Sequence, residues 1–376
     1  MSDRRRPVVA LVTDAIFPYH RGGKETRYHE ISRRLADHAE VHVYTMRWWA
    51  GAPEPREGGV TFHALSPLVP LYSRERRSIR QALVFALGCL TLLWRRFDVI
   101  EADHMPYVQL VPLRLVATLR RKRLVVTWHE VWGPAYWRGY LGRLGRVGWW
   151  FERLAMRLPD VIIAASPETA ERLRERLGDR AAIAVAPNGV DLDEIRRAPA
   201  AAERTDLVVV GRLLDHKRVD LLVDAVARLR ERGVEASCRI IGDGPQRQAL
   251  HAQAERVGVA DLIDFRHDVG TQRELYSLLK AGRVFVFPSA REGFGVAVLE
   301  AIACGLPVVT TSAPDNLARH LVARAADGVV CEPSADAIAA SVEPMLAGRP
   351  SIDAPTWISG FDWDSVTARV AEVVLA

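Results

Sequence analysis

The sequence predicts an α/β protein made of two parallel-sheet domains. Three observations carry this expectation. Short apolar, β-branched runs alternate with longer stretches of helical periodicity, the pattern of parallel strands covered by helices on both faces. The alternation closes near residue 190 and starts afresh at Leu207. With 376 residues, 49% of them hydrophobic and 26% charged, the chain is long enough for one or two domains and can bury a substantial core.

In chain order, the first set of strands is expected at Val8–Thr13, Val41–Thr45, Val60–Leu65, Val99–Glu101, Leu124–His129 and Val161–Ala165. The second set is expected at Leu207–Val210, Cys238–Ile241, Ile263–Phe265, Val284–Phe287 and Val308–Thr310. Helical patterns fall between them at Glu25–Asp37, Val219–Arg232, Pro245–Val257 and Thr271–Lys280. A polar, alanine-rich stretch, Asp191–Asp206, marks the boundary and gives domains at 1–190 and 191–360. Pro350–Pro355 reads as loop, and a last helix near Asp364–Leu375 could pack on either domain.

Composition excludes several classes. Cys89, Cys238, Cys304 and Cys331 are far apart and lie mostly in apolar runs, so they read as buried thiols in a reducing compartment. Val8–Thr13 is too short for a secretory h-region and suits a buried first strand. No run reaches the roughly 18 apolar residues that span a bilayer; the longest, Ala82–Trp94, reads as a buried or interfacial helix. Charge is uneven. Residues 1–190 hold 30 Lys and Arg against 19 Asp and Glu, a difference of +11, and residues 191–376 hold 21 against 27, a difference of −6. A basic first half and an acidic second half imply different partners.

Ligands of open parallel sheets bind beyond the carboxyl ends of the strands. The residues with chemical character fall there. Glu292-Gly-Phe-Gly295 follows an apolar run and opens a helix-like run that contains Glu300. Gly293 and Gly295 permit close backbone approach, and a helix beginning near Gly295 points free N–H groups at an anion. Glu300 can accept two hydrogen bonds from a ribose diol, and Glu292 can accept from hexose hydroxyls. An isolated pair of glutamates at this spacing would read as surface residues. The Gly-Phe-Gly turn between them and Ala301–Val309 after them favour a site.

Gly211-Arg-Leu-Leu-Asp-His-Lys217 places two cations after a strand, where Arg212 and Lys217 can stabilise a leaving diphosphate without a metal. At a helix start the dipole disfavours cations, which argues against a merely solvated pair. Gly22-Gly23 before a helix can offer N–H groups to a phosphate or to an acceptor, although glycine pairs are usually turns. His129, at a strand end, can donate to a sugar hydroxyl or act as a base, although a lone histidine there is more often structural. Ile241-Gly-Asp-Gly-Pro245 lacks the third glycine of a dinucleotide fingerprint, Arg247 standing in its place, and reads as a tight turn near a nucleotide. Asp191-Leu-Asp193 and Asp362-Trp-Asp364 follow no sheet strand and read as caps or turns, so no metal is expected.

Basic and aromatic residues mix in Trp128–Arg157, with more basic and apolar surface in Arg74–Trp94 and Arg114–Arg123. This composition suits an anionic membrane interface and also single-stranded nucleic acid. A buried helix with a solvated basic face has the same composition.

On these residues the chain resembles family 4 of the retaining glycosyltransferases. The likeness runs through Glu292–Glu300 with the Ala-x-Gly-x-Pro-Val-Val tail, Gly211-Arg212 with Lys217, and Pro187-Asn-Gly-Val-Asp191, with weaker support from Gly22-Gly23 and His129. The resemblance implies the GT-B architecture, two facing Rossmann-like domains with an interdomain cleft. The first domain would bind the acceptor and the second the nucleotide sugar, with the helix from Phe361 crossing back to the first. Glu300 would hold the ribose and Glu292 the donor sugar. Arg212 and Lys217 would grip the diphosphate, Gly293, Phe294 and Gly295 would line the donor corner, His129 would contact the donor sugar, and Gly23 would approach the phosphate or acceptor. The implied reaction is metal-independent, needs no cofactor and retains the anomeric configuration, the departing phosphate assisting acceptor deprotonation. Two segments depart from the family pattern: Arg266-His267-Asp268 stands where a glycine is common, and Ser312–Ala318 where Gly-Gly-x-x-Glu is common.

The expected function is transfer of a hexose, mannose among the candidates, from a UDP- or GDP-linked sugar to a lipid-linked or polysaccharide acceptor. The expected location is cytoplasmic, with peripheral contact at the membrane's cytoplasmic face. A nucleotide-sugar epimerase of the same fold is the alternative. A nucleic-acid-binding protein would leave the Glu292–Glu300 corner without a purpose, so nucleic acid is not an expected partner. An NAD oxidoreductase lacks its glycine fingerprint.

Overall fold

A computed structural model of the chain describes residues 5–20, 22–73, 76–178, 181–348 and 354–376. Most of the Pro350–Pro355 loop, Arg21 of the glycine segment, and Arg74 and Glu75 of the basic stretch lie outside the described residues. The chain divides into two compact units, Met1–Asn188 with Trp363–Ala376, and Gly189–Asp362.

In the first unit the strands are β1 (Val8–Val12), β2 (Glu40–Met46), β3 (Arg56–Glu57), β4 (Val60–Ser66), β5 (Val99–Asp103), β6 (Arg123–Trp128), β7 (Val161–Ala164) and β8 (Ile183–Val185). They form one sheet in the order β8-β7-β6-β5-β1-β2-β4-β3, parallel except at the β3–β4 edge. The helices are α1 (Gly23–Leu35), α2 (Ile79–Cys89), α3 (Leu110–Arg120), α4 (Gly133–Leu141), α5 (Gly145–Ala155) and α6 (Pro167–Leu177). Successive strand residues point to opposite faces. Val8, Ala10 and Val12 therefore pack with Phe85 of α2, Leu113 of α3, Ala155 of α5 and Leu173 of α6. Val9 and Leu11 face the other way, against Tyr28, Ile31 and Leu35 of α1. That second layer also holds the last helix, Trp363–Val374, through Trp363, Val366, Val370 and Val374. An ion pair from Arg34 to Asp364, 2.6 Å, joins the last helix to α1. Each buried valine in such a row contributes about 1.5–3 kcal/mol.

The second unit carries β9 (Thr205–Val210), β10 (Cys238–Ile241), β11 (Ile263–Arg266), β12 (Gly282–Phe287), β13 (Val308–Thr311) and β14 (Gly328–Cys331) in the all-parallel order β11-β10-β9-β12-β13-β14. Its helices are α7 (Leu192–Arg197), α8 (Val219–Glu231), α9 (Arg247–Arg256), α10 (Gln272–Lys280), α11 (Val296–Ala303), α12 (Arg319–Val322) and α13 (Ala335–Ala347). The last helix of the chain, α14, is Trp363–Val374.

Three strands were not anticipated. β3 is two exposed residues, β8 is three residues long and half-buried, and β14 is a half-exposed edge strand; none shows the continuous apolar run of a central strand. Asp191 is the N-cap of α7, accepting from Glu194 N–H at 2.8 Å, and Asp362 accepts from Leu192 N–H at 3.3 Å. Both aspartate triplets thus serve as caps and turns.

Candidate functional site

Each sheet has a point at which the strand order reverses, and the crevice at that point is where an α/β sheet takes its ligand. In the second unit it lies between β9 and β12. Gly211 follows β9, and the segment Ser289–Glu292 follows β12. The two are tied together. Ala290 N–H donates to the His216 carbonyl at 2.8 Å, and the Ser289 hydroxyl donates to the same oxygen at 3.2 Å. The turn Asp215–Lys217 is thereby fixed beside the end of β12. Lys217 Nζ donates to Glu292 Oε2 and lies 4.9 Å from the centre of the Phe287 ring. Gly211, exposed Arg212, Leu213, Lys217 and Phe287 line a small pocket. Behind it, a Cβ on Gly242 would fall 2.0 Å from the Gly211 carbonyl oxygen, so the turn expected at Gly242–Gly244 packs backbone on backbone.

Burial raises the Glu292 carboxyl, but the charge and hydrogen bond of Lys217 outweigh it and hold the group below its ordinary range. Burial, then the charges of Arg291 and Lys217, push His216 down to about 4, so it stays neutral. Glu292 is braced from a segment that sequence reasoning set aside. Arg291–Glu292 pairs with Asp315–Asn316, and Leu317 N–H donates to the Glu292 carbonyl at 2.9 Å. Buried Asn316 anchors that segment through Thr310 Oγ1, 2.9 Å, and the Thr311 carbonyl, 3.0 Å.

Gly295, at φ 91°, turns the chain into α11, and a Cβ there would meet Ala318 at 2.5 Å. Only glycine suits both constraints. The Phe294 side chain is buried in the core, 6.0 Å from the Phe361 ring, and its backbone N–H reaches the Glu292 carboxylate. Glu300 lies buried in α11 and accepts from Gln272 Nε2. Against that hydrogen bond, burial raises its carboxyl to about 7. Gln272 had no sequence signal beyond its place at the start of α10.

In the first unit the reversal lies between β1 and β5, and there the structure assembles a charge network that sequence reasoning missed. Buried Asp14 follows β1 and buried Asp103 ends β5. Lys24, in the first turn of α1, bridges them at 2.7 Å and 2.9 Å. Arg77 and Gln81 complete the Asp14 side at 2.8 Å and 3.1 Å. Burial would raise both aspartates, yet the facing cations hold both below the usual range. Gly23 is the first residue of α1 rather than preceding it, and the Glu25 carboxylate lies over that helix start, 2.6 Å from where a Cβ on Gly22 would be. The signal available in the sequence was an aspartate at the end of each of two apolar runs.

His129 follows β6, its Nε2 3.8 Å from Asp103 Oδ1, and His104 Nδ1 lies 3.0 Å from the same oxygen. Burial, opposed by Asp103 and reinforced by His104, Arg27 and Lys24, pushes His129 down to about 3 and keeps the imidazole neutral. Among the described residues, the ligand atoms of Asp103, His104 and His129 come within 4.8 Å of one another, as metal binding requires. The Lys24 ammonium on the other Asp103 oxygen already supplies the positive charge there, which opposes a divalent ion.

Residues 191–354 match the family described as glycosyl transferases group 1, and residues 21–194 match glycosyltransferase family 4. The chain is 31% identical over 241 residues to a GDP-mannose-dependent alpha-(1-6)-phosphatidylinositol monomannoside mannosyltransferase of Mycobacterium tuberculosis (strain CDC 1551 / Oshkosh), covering 57% of this chain and 61% of that protein. It is 27% identical to the Mycolicibacterium smegmatis protein of the same name, covering 97% of each. Among solved structures, sucrose-phosphate synthase from Thermosynechococcus elongatus superposes with a TM-score of 0.79 at 17% identity, covering 98% of both chains. Anabaena HepE in complex with UDP-glucose superposes at 0.73 and 20% identity, covering 98% of this chain and 99% of that one. The chain belongs to glycosyltransferase family 4, the glycosyl transferases group 1, and its two Rossmann-like units carry the GT-B fold.

Proposed function

We propose that this protein is a retaining hexosyltransferase that moves a hexose, mannose first among the candidates, from a nucleotide diphosphate sugar to a lipid-linked or saccharide acceptor without a metal ion. One observation carries the reading. Lys217 pairs with Glu292 at the strand-order reversal of the second unit, next to the glycine turn that opens the helix carrying Glu300. GDP-mannose is named for the mycobacterial relatives, and UDP-glucose for the Anabaena complex. Both pair a nucleoside diphosphate with a hexose, which a corner with cations, a helix start and two carboxylates suits.

In this reading Arg212 and Lys217 meet the diphosphate, which gains charge as the bond to the anomeric carbon breaks. Glu292 accepts from hexose hydroxyls, and Glu300 accepts from the ribose diol. His129 meets a sugar hydroxyl as a neutral imidazole. The acceptor oxygen bonds to the anomeric carbon on the face the phosphate leaves, and its proton passes to that phosphate. The enzyme works in the cytoplasm, at the cytoplasmic face of a membrane that holds a lipid-linked acceptor.

The test is incubation with GDP-mannose or UDP-glucose and a membrane lipid extract in the presence of a chelator, with the product read by NMR. A lipid- or saccharide-linked hexose of unchanged anomeric configuration is expected. An inverted linkage, or an epimerised nucleotide sugar with no acceptor product, would overturn the proposal.

A further inference from the structure

Two helices of the second unit open at the carboxyl end of its sheet, the end at which such sheets take ligands. α10 follows β11, and α11 follows β12. Gln272 is the first residue of α10, and Glu300 lies in the second turn of α11. Gln272 Nε2 donates to Glu300 Oε1 and so joins the heads of the two helices.

The head of α10 is fixed. Thr271 caps it, its hydroxyl accepting from Glu274 N–H at 3.1 Å, and the Glu274 carboxylate accepts from Gly270 N–H at 3.0 Å. Tyr276, one turn beyond Gln272, is buried in the core that also holds Leu299 and Ile302 of α11. Its hydroxyl hydrogen-bonds the Gln272 side chain; burial and then the charge of Glu300 raise it, so it keeps its proton. At the far end of α10, Lys280 Nζ donates to the Ile195 and Ala198 carbonyls. The Gln272 amide is thus held by Tyr276 and by Glu300, although the residue is open to solvent. A glutamine at the surface gives up about 1.5–2 kcal/mol of side-chain entropy when it is held this way.

Glu300 is 7% exposed. A buried carboxylate is a poor tie between helices, because an apolar pair of similar volume joins them without the desolvation cost. A carboxylate has room for about four hydrogen bonds. Gln272 takes one place, and two more serve a vicinal diol. An N–H on one oxygen also favours the ionised carboxylate, which accepts more strongly than the acid does.

We propose that Gln272 is the positioning residue of the ribose subsite: its amide orients the Glu300 carboxylate so that both hydroxyls of a ribonucleotide are read and a 2′-deoxyribonucleotide is rejected. This rests on the reading of Glu300 given above and adds the group that acts through it. A nucleotide without the 2′-hydroxyl leaves a buried acceptor unpaired, which makes the rejection steep.

The test is calorimetric titration of the full chain with GDP, UDP and their 2′-deoxy forms, at about pH 6 and about pH 8. The wild type is expected to bind its ribonucleotide about 10–100-fold more tightly than the deoxy form. Gln272→Met, close in volume but without the donor, is expected to lose about tenfold in affinity for the ribonucleotide and about twofold or less for the deoxy form. Gln272→Glu, of the same shape without the donor, should do the same. Wild-type affinity should rise with pH as Glu300 ionises near its value of about 7. In both variants that rise should move to higher pH, because the donor favouring the carboxylate is gone. Melting curves check that α10 keeps its place.

Variants that match the wild type would overturn the proposal. So would an equal loss for both sugar forms with an unmoved pH profile, the mark of a merely structural tie. Glu300→Ala separates this outcome from that of the donor-site reading. If Glu300→Ala loses nucleotide and Gln272→Met does not, this proposal alone fails. If Glu300→Ala binds as the wild type does, or the wild type binds neither nucleotide, both fail.

Discussion

Lys217 and Glu292, 75 residues apart in sequence, form an ion pair at the end of β12, with the ammonium also over the Phe287 ring. Each side chain is about one-fifth exposed, 19% and 21%. In the proposed reaction the cation would meet the diphosphate and the carboxylate the sugar.

Lys217→Met leaves the Glu292 carboxylate without its cation. The expected cost is about 2 kcal/mol of stability and a loss of about 10²–10³ in kcat/KM. Lys217→Arg should recover most of the stability. Thermal melts and steady-state transfer rates check both. A methionine variant that transfers at close to the wild-type rate would remove Lys217 from the reaction.

Glu300 ties stability to pH. Burial raises its carboxyl from 4.5 to about 7, so the folded state holds the proton more tightly than the unfolded chain does. Its favourable contribution is complete below about pH 4.5 and is lost as pH rises through about 7, a swing of about 3 kcal/mol. Glu300→Gln cannot titrate. Its stability relative to wild type should therefore improve between about pH 5 and about pH 8, read by urea titration at both. An unchanged difference would show that the carboxyl has no raised pKa.

Lys24 stands between two buried aspartates, so Lys24→Met takes the ammonium from Asp103 and leaves Asp14 with Arg77 alone as its cation. A loss of about 3–5 kcal/mol is expected, with the wild type losing the same stabilisation in acid as Asp14 and Asp103 take up protons below their unfolded value of 3.8. Chemical denaturation at neutral and acid pH measures this. A Lys24→Met variant as stable as wild type would mean that the network does not hold the β1 and β5 ends.

His129 is neutral throughout the working range, held near 3 mainly by burial. The pH profile of transfer should therefore show no limb near the ordinary histidine value, and His129→Asn, which keeps a donor, should lower the rate less than His129→Ala. A limb near pH 6.5 that disappears in His129→Asn would contradict this.

The parallel sheets were legible because central strands such as Val8–Val12 are buried on both faces and read as unbroken apolar runs. Edge strands such as Gly328–Cys331 are half exposed and carry no such signature. The Glu292–Glu300 turn was legible because glycine spacing records a backbone requirement, seen here in Gly295. Phe294 shows the limit of that signal, since its place in the motif says nothing about which way its ring points. The Asp14–Lys24–Asp103 network was illegible because its members come from three separate segments and meet only through strand order. The same holds for Asn316, whose support of Glu292 depends on burial that no local pattern reveals.

The measurement that tests the central claim most directly is thermal stabilisation by GDP and UDP, in wild type and in Glu300→Ala, with magnesium and with chelator. A nucleotide that binds the folded state raises its apparent stability by mass action. A shift with one nucleotide, unaffected by chelator and lost in Glu300→Ala, is the predicted result. No shift with either nucleotide, or an equal shift in the variant, would contradict the assignment of the Glu292–Glu300 corner as the donor site.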